Sequence, residues 1–191
     1  MATKKKATKK ATTKKKTAKK TTKKKTTKKK TNLKVYEAKT KVGKKVPAFK
    51  LPSTGDKKLG LKDFTGKKLV LYFYPKDATP GCTIEGHDFT KAHKKFKKLN
   101  TEIIGVSRDS IKSHEKFKDK QKYSFDLISD EDEKLCAIFG AIKLKNMYGK
   151  MVRGINRSTF VIDEKGKLLK EWRAVKVAGH VDEVLAYVKS L

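Results

Sequence analysis

The chain contains two cysteines, and one of them, Cys82, lies where thiol chemistry is expected. This residue follows an apolar run at 68–74 and a Pro-Gly turn, and it opens a stretch with helical periodicity that extends to residue 99. The first N–H groups of a helix lack partners and carry partial positive charge, so this position stabilises a thiolate, the reactive form of cysteine. Taken alone, Cys82 is also compatible with an inert buried thiol.

The segments around Cys82 have the patterns of a buried sheet with helices on its faces. Apolar runs rich in β-branched and aromatic residues predict strands, with a first short one near 48–51, at residues 68–74, 102–107, 125–128, 158–162 and 168–172. Helical patterns cover residues 82–99, 109–121, 129–140 and 180–191, and the acidic residues at 130–133 suit the first turn of the third helix. Early alternation of strands and helices, followed by a hairpin, predicts an α/β thioredoxin-like fold with a mixed central sheet.

Residues 1–32 differ in composition from the rest of the chain. They contain 16 lysines and no acidic residue, and their apolar residues are Met1 and four alanines. The whole chain has 51 basic and 20 acidic residues, so the segment 33–191 carries 35 basic and 20 acidic residues, a net charge of +15. Since a highly charged segment with so little apolar surface cannot form a core, we predict a disordered arm at 1–34 and one folded domain at 35–191.

The composition of the arm predicts binding to a polyanion. Lysines that replace condensed counterions on DNA favour binding, and the arm has neither aromatic residues for base stacking nor arginines for base recognition. We therefore expect residues 1–32 to bind DNA without sequence preference. A solubilising tail without a partner is the alternative, and an acidic lipid surface is disfavoured because the arm has no apolar anchor. The composition resembles that of linker-histone and bacterial histone-like tails.

Several classes of protein are excluded by the sequence. The sequence contains no run of about 18 apolar residues, so it predicts no membrane span. The N-terminus lacks the apolar segment of a secretory signal. Two cysteines do not make a disulfide scaffold. The sequence has no Cys/His cluster with the spacing of a zinc site and no glycine-rich nucleotide-binding motif. These absences predict a reducing, intracellular compartment.

Residues 75–82 read PKDATPGC, and the spacing of Pro75, Thr79 and Cys82 resembles the active-site signature of peroxiredoxins. The likeness extends over residues 46–191, which resemble the bacterioferritin comigratory protein or peroxiredoxin Q subfamily. The segments that carry it are FYPKDATPGCTIEGHDF, IIGVSRDSIKSHEKF, LISDEDEKLC, KNMYGK and INRSTFVIDEKGKLLKEWR. The resemblance implies reduction of hydrogen peroxide and organic hydroperoxides, with no metal or bound cofactor, by a monomer. It also implies a cytoplasmic protein, which the arm would associate with a nucleoid or, in a eukaryote, with a nucleus.

The resemblance implies a role for each residue of this site. Cys82 attacks a peroxide oxygen and becomes a sulfenic acid, while the Thr79 hydroxyl and the Cys82 N–H face the developing charge. Pro75 shields the pocket from water, and Arg157, in INRSTF, stabilises the thiolate and holds the peroxide. Glu85 occupies a position where the subfamily often has an acid, although an exposed carboxylate that helps the helix start is an equal interpretation.

The second cysteine raises the question of how the sulfenic acid is reduced. Many members of the subfamily have a resolving cysteine five residues after the peroxidatic one, and here that position is His87. Cys136 lies much further along the chain, within a predicted helix, where we expect a buried apolar role, with a resolving disulfide to Cys82 as the alternative. We therefore predict reduction by an external thiol, such as thioredoxin, glutaredoxin or glutathione. The competing hypothesis is a nucleic-acid-binding structural protein on an inactive peroxiredoxin scaffold.

Overall fold

A seven-stranded mixed sheet forms the centre of the fold in the computed structural model. The structure describes residues 1, 34–147 and 149–191. The predicted arm at 1–34 therefore lies almost entirely outside the described residues. The strands are β1 (Lys50–Ser53), β2 (Lys57–Gly60), β3 (Lys68–Phe73), β4 (Thr101–Ser107), β5 (Asp126–Ser129), β6 (Ile142–Met147), β7 (Lys150–Ile155), β8 (Ser158–Ile162) and β9 (Leu168–Arg173). The helices are α1 (Pro80–Lys98), α2 (Ile111–Gln121), α3 (Lys134–Phe139) and α4 (His180–Lys189).

The sheet has the strand order β2-β1-β5-β4-β3-β8-β9, while β6 and β7 pair only with each other. β3, β4 and β5 run parallel, and β8 lies antiparallel to β3, so that β3 is hydrogen-bonded on both sides. This arrangement explains the continuous apolar run of β3, because both faces of a strand with parallel crossovers are covered by helices. The mixed α/β, thioredoxin-like architecture predicted from the sequence is confirmed.

Alternate side chains of β3 enter two separate cores, one on each face of the sheet. Val70 and Tyr72 pack with apolar residues of α1, α2 and α4, and the α1 contribution is Cys82, Phe89, Ala92 and Phe96. On the opposite face, residues 69, 71 and 73 pack with α3 and with the inner ends of β6 and β7. The sheet therefore separates an α1-side core from an α3-side core. In the described part of the chain, no helix has the length and apolarity needed to cross a membrane.

Three local predictions differ from the structure. The first strand is Lys50–Ser53 rather than 48–51, and the β6–β7 hairpin was not predicted. The acidic residues before α3 precede the helix instead of forming its first turn, since α3 begins at Lys134. Asp130 instead reaches forward, and its two carboxylate oxygens accept hydrogen bonds from the N–H groups of Leu135 at 3.0 Å and Cys136 at 2.8 Å. The cap is therefore supplied from four residues before the helix.

Candidate active site

Cys82 is the third residue of α1 and lies at the carboxyl end of the central strands. Residues 74–79 connect β3 to α1, and Thr79 is the N-cap residue of the helix. The loop makes a tight turn in which Ala78 adopts a left-handed conformation with φ of 56°. Cys82 itself is only 2% exposed. The carboxyl ends of parallel strands are where α/β proteins commonly bind ligands, so the thiol occupies a suitable position for chemistry.

The guanidinium of Arg157 contacts the Cys82 sulfur. Arg157 Nη2 donates a hydrogen bond to Cys82 Sγ at 3.3 Å. The strand pairing explains this contact, because Ser158 at the start of β8 lies opposite Phe73 at the end of β3. A Cβ on Gly81 would lie 3.4 Å from Arg157 Nη2, so the missing side chain at this position leaves room for the guanidinium beside the first turn of α1.

Glu85 lies behind the sulfur and shares the same guanidinium. Its side chain is fully buried, and Arg157 Nη1 donates a hydrogen bond to Glu85 Oε2. Burial raises the pKa of Glu85 to about 7, because the loss of hydration outweighs the opposing attraction of Arg157. The other carboxylate oxygen, Oε1, is buried and has no hydrogen-bond partner within the described part of the chain. The interpretation of Glu85 as an exposed first-turn carboxylate is therefore wrong.

Thr79 and Pro75 lie in the loop on the N-terminal side of the sulfur, and both are partly buried. The Thr79 hydroxyl donates to the carbonyl oxygen of Lys76 at 3.0 Å, and the Thr79 carbonyl accepts from the N–H of Thr83 at 2.9 Å. A hydroxyl that donates its proton in this way keeps its lone pairs available as acceptors. The loop thus presents an acceptor close to the start of the helix that carries Cys82.

Cys136 lies in the other core. It is fully buried on α3 within the α3-side core, whereas Cys82 belongs to the α1-side core. Burial raises the pKa of the Cys136 thiol above its usual value, and the neighbouring Asp130 carboxylate acts in the same direction. The two thiols are thus on opposite faces of the sheet in this conformation, and the structure does not bring them together.

Sequence reasoning missed two residues near the thiol. Lys145, on β6, donates to the carbonyl oxygen of Ile155 at 2.9 Å. Burial and the charge of Arg157 lower the pKa of Lys145, while Cys82 acts in the opposite direction. Tyr123 donates to the carbonyl oxygen of Thr83 at 3.2 Å. One lysine among many carries no distinguishing signal in the sequence, and the tyrosine reaches α1 only through the tertiary fold.

The histidine at the position of the subfamily's resolving cysteine has a different partner. His87 Nε2 lies 2.9 Å from Gln121 Oε1, so this side chain links α1 to the end of α2. Among the residues that the structure describes, no group of three or more histidine, cysteine or acidic side chains could hold a metal ion. The groups that the structure does bring together at this site are a thiol, a guanidinium, a buried carboxyl group and a hydroxyl.

Comparisons with known proteins give a consistent result. The model of the AhpC/TSA family matches residues 42–170. Peroxiredoxin Bcp of Xanthomonas campestris is 53% identical over 140 residues, covering 73% of this chain and 88% of the relative. Peroxiredoxin Bcp of Bacillus subtilis is 48% identical over 151 residues, covering 79% of this chain and 96% of the relative.

Solved structures with the same fold are also found. A structure of the Xanthomonas campestris bacterioferritin comigratory protein is 51% identical and superimposes with a TM-score of 0.72 over 74% of this chain and 90% of that chain. That protein was studied for its alkyl peroxide reduction activity through trapped intermediate/ligand complexes. The match covers 90% of that relative and 74% of this chain, so the similarity is not confined to the cysteine loop.

Proposed function

Because the chain belongs to the AhpC/TSA family and is a thiol-dependent peroxidase of the Bcp peroxiredoxin type, we propose that Cys82 is its peroxidatic cysteine. The observation that carries this assignment is the hydrogen bond from Arg157 to Cys82 Sγ, which places a positive charge and N–H donors beside the sulfur, where a peroxide would react. Glu85 is proposed to hold that guanidinium in place through its second NH₂ group. The same arrangement argues against the alternative of an inactive scaffold.

The proposed reaction begins with attack of the Cys82 thiolate on the terminal oxygen of a hydroperoxide. The S–O bond forms as the O–O bond breaks, the sulfur is oxidised to a sulfenic acid, and the electron pair of the O–O bond leaves on the other oxygen. That oxygen departs as hydroxide or alkoxide and takes a proton from water, giving water or an alcohol. The substrate class is hydrogen peroxide and organic hydroperoxides, in keeping with the alkyl peroxide activity of the Xanthomonas campestris relative.

The loop and the arginine are proposed to hold the peroxide in line with the sulfur. The Arg157 N–H groups and the backbone N–H of Cys82 donate to the peroxide oxygens, where negative charge grows during the reaction. Thr79 accepts the hydrogen bond of the peroxide O–H, because its own proton is directed at the Lys76 carbonyl. Pro75, which is partly buried at the start of the loop, keeps water away from this pocket.

An external thiol is proposed to reduce the sulfenic acid. Attack of that thiol on the Cys82 sulfur gives a mixed disulfide and releases water, and a second thiol then releases Cys82. Thioredoxin, glutaredoxin or glutathione would serve. Cys136 is a poor resolving candidate, because it is buried in the core on the opposite face of the sheet and a disulfide requires Cα atoms within about 7 Å.

Intact-mass analysis of the full chain after one equivalent of hydrogen peroxide tests these assignments. We expect the wild type and Cys136→Ser to gain one oxygen and Cys82→Ser to remain unmodified and inactive. A loss of two hydrogens in the wild type, absent from Cys136→Ser, would identify Cys136 as the resolving cysteine. Unchanged peroxide consumption by Cys82→Ser would refute the assignment of Cys82 and revive the inactive-scaffold hypothesis.

We also propose that residues 1–32 bind DNA or another polyanion without sequence preference and associate a monomeric enzyme with a nucleoid. Support comes from the composition of this segment, which has 16 lysines and no acidic residue. Deleting residues 1–32 is expected to abolish retention on DNA-cellulose at low salt while peroxide turnover is unchanged. Equal retention of the truncated chain would assign DNA binding to residues 33–191, whose own net charge is +15, and would overturn the proposal.

A further inference from the structure

A buried polar cluster connects the cysteine loop to α2, and the mechanism above makes no use of it. The carboxylate of Asp77, in the loop between β3 and α1, accepts hydrogen bonds from Tyr74 Oη at 2.8 Å and Ser113 Oγ at 2.7 Å. His114 Nδ1 lies 3.1 Å and 2.9 Å from its two oxygens. The side chains of Asp77 and His114 are 5% and 0% exposed, so water contributes little to this cluster.

The His114 ring lies between two hydrogen-bond acceptors. Its Nδ1 faces the Asp77 carboxylate, and its Nε2 lies 3.2 Å from the carbonyl oxygen of Ile128 in β5. Both partners are acceptors, so whichever ring nitrogen carries a proton has a partner to donate to. Burial alone would raise the pKa of Asp77. The hydrogen bonds from His114, Ser113 and Tyr74 and the electrostatic attraction of His114 outweigh burial and hold this pKa below its usual value.

The backbone of the loop is attached at the same point. The N–H of Asp77 donates to Asp109 Oδ2 at 2.9 Å, and that carboxylate also accepts from Ser107 Oγ at 2.6 Å. Asp77 is therefore connected to α2 and β5 through its side chain and to the end of β4 through its backbone. The next residue, Ala78, has a φ of 56°, a left-handed conformation that is unfavourable for a residue with a Cβ and persists only where its surroundings enforce it.

Asp77 is two residues from Pro75 and two from Thr79, so an anchor here fixes both ends of the peroxide pocket. We propose that Asp77 and His114 are positioning residues for the peroxide reaction, because their buried contact holds the loop so that Thr79 and the first turn of α1 face the substrate. This inference rests on the proposed role of Cys82. It adds the requirement that the loop be held in place, which the presence of the thiol and Arg157 alone does not impose.

Chemical selectivity separates a positioning role from a purely structural one. Reaction with hydrogen peroxide depends on the loop groups that orient the two oxygens, and a misplacement of about 1 Å can cost about 100-fold in rate. Alkylation by iodoacetamide requires only an accessible, ionised sulfur. A loosened loop should therefore lower the rate constant of Cys82 with peroxide while the rate constant with iodoacetamide is unchanged or rises.

The test compares these two rate constants in the full chain. His114→Phe keeps a planar aromatic ring but removes both ring nitrogens, and we expect its peroxide-to-iodoacetamide ratio to fall by about 10- to 100-fold. His114→Asn retains a donor near the position of Nδ1 and should recover part of the ratio. Ser113→Ala removes a single donor without a large cavity, so it should give a smaller fall and serves as the readout if His114→Phe does not fold.

Thr54→Val is the matched control. The Thr54 hydroxyl is buried, donates to Asp126 Oδ1 and accepts from the N–H of Leu127, each at 3.1 Å, at the start of β5 and with no hydrogen bond to Asp77 or His114 in the described part of the chain. This change should lower stability without altering the ratio. The proposal is overturned if the His114 and Ser113 variants keep the wild-type ratio, or if Thr54→Val changes it equally. A wild type whose Cys82 does not react with peroxide would refute the proposed function instead.

Discussion

The sulfur of Cys82 and the carboxyl group of Glu85 share a single guanidinium, that of Arg157. For Arg157, burial would lower the pKa, but the nearby Glu85 and Cys82 groups outweigh it and raise the value above normal. The guanidinium therefore remains charged at all relevant pH values, whereas Glu85, with a pKa of about 7, changes its charge within the physiological range. The protonation state of Glu85 thus determines whether a negative charge offsets the positive charge of Arg157 next to the sulfur.

The titration of Glu85 predicts a pH dependence of stability that Glu85→Gln removes. The pKa of Glu85 is raised from 4.5 in the unfolded chain to about 7 in the folded one, so the folded state binds the proton more tightly between these values. The free energy of unfolding of the wild type should fall relative to Glu85→Gln as pH rises from about 4.5 to about 7, by up to about 3 kcal/mol. Urea denaturation at pH 5 and pH 8 measures this difference.

Glu102→Gln provides a control of opposite sign for this measurement. Burial would raise the pKa of Glu102, but its bonds to Lys97 and Lys67 outweigh burial and lower it. The stabilisation from Glu102 is therefore fully present above pH 4.5 and is lost only as pH falls below that value. Between pH 5 and pH 8, Glu102→Gln should parallel the wild type. If Glu85→Gln also parallels the wild type, Glu85 does not titrate in this range.

At the scale of elements, the first turns of α1 are held against the segment after α2 by Tyr123. This side chain is 4% exposed, and a Cβ on Gly86 would lie 2.4 Å from its Cζ and 2.5 Å from its hydroxyl oxygen. Since these are atoms of a rigid, buried ring, an alanine at 86 must displace either the ring or the helix. The same turns carry Cys82 and Glu85, so the fit between Gly86 and Tyr123 also determines the position of the reactive groups.

A double-mutant cycle tests this packing. Gly86→Ala should destabilise the wild type by about 1–3 kcal/mol through overpacking and should lower the rate of the peroxide reaction. In the Tyr123→Ala background the clash is gone, and the same substitution should become neutral or stabilising by up to about 1 kcal/mol, because alanine is the better helix former. Unfolding by urea gives all four free energies. An equal cost of Gly86→Ala in both backgrounds would contradict the assigned clash.

Local patterns predicted the position of Cys82 but not the groups that surround it. The strand, the Pro-Gly turn and the helix that position this cysteine are adjacent in sequence, so their signals suffice. Arg157 is 75 residues away and reaches the sulfur because β8 pairs with β3, a long-range contact that no local pattern encodes. Its assignment depended on resemblance to a family. The Asp77–His114 pair was missed for the same reason, since its members are 37 residues apart.

The fold was predicted most accurately where strands are buried and least accurately where they are exposed. β3 and β8 are continuous apolar runs because helices or the β6–β7 hairpin cover both of their faces. β7 is exposed over its first half, so its sequence alternates too weakly to indicate a strand. The acids at 130–133 have the composition of a first helical turn, yet the helix begins after them, because Asp130 supplies its cap through a side-chain bond that reaches forward along the chain.

At the scale of the whole molecule, the sequence is divided into segments of different charge density. Residues 1–32 carry 16 positive and no negative charges, whereas the segment 33–191 carries 35 positive and 20 negative charges. In the described part of the chain the acids offset part of the positive charge, and several form ion pairs with lysines or arginines, as Asp126 does with Lys57 and Lys118. Binding of DNA by the whole chain should therefore depend on salt mainly through the segment 1–32.

The salt dependence of DNA affinity measures how many lysines of this segment are engaged. If about half of the 16 lysines replace counterions, the slope of log K against log salt should be more negative by roughly 7 in the full chain than in the chain lacking residues 1–32. A variant with every second lysine of this segment replaced by glutamine keeps the length and should give about half of that difference. Peroxide turnover of the three proteins should be equal at each salt concentration. Equal slopes for the three proteins would show that the segment makes no phosphate contacts.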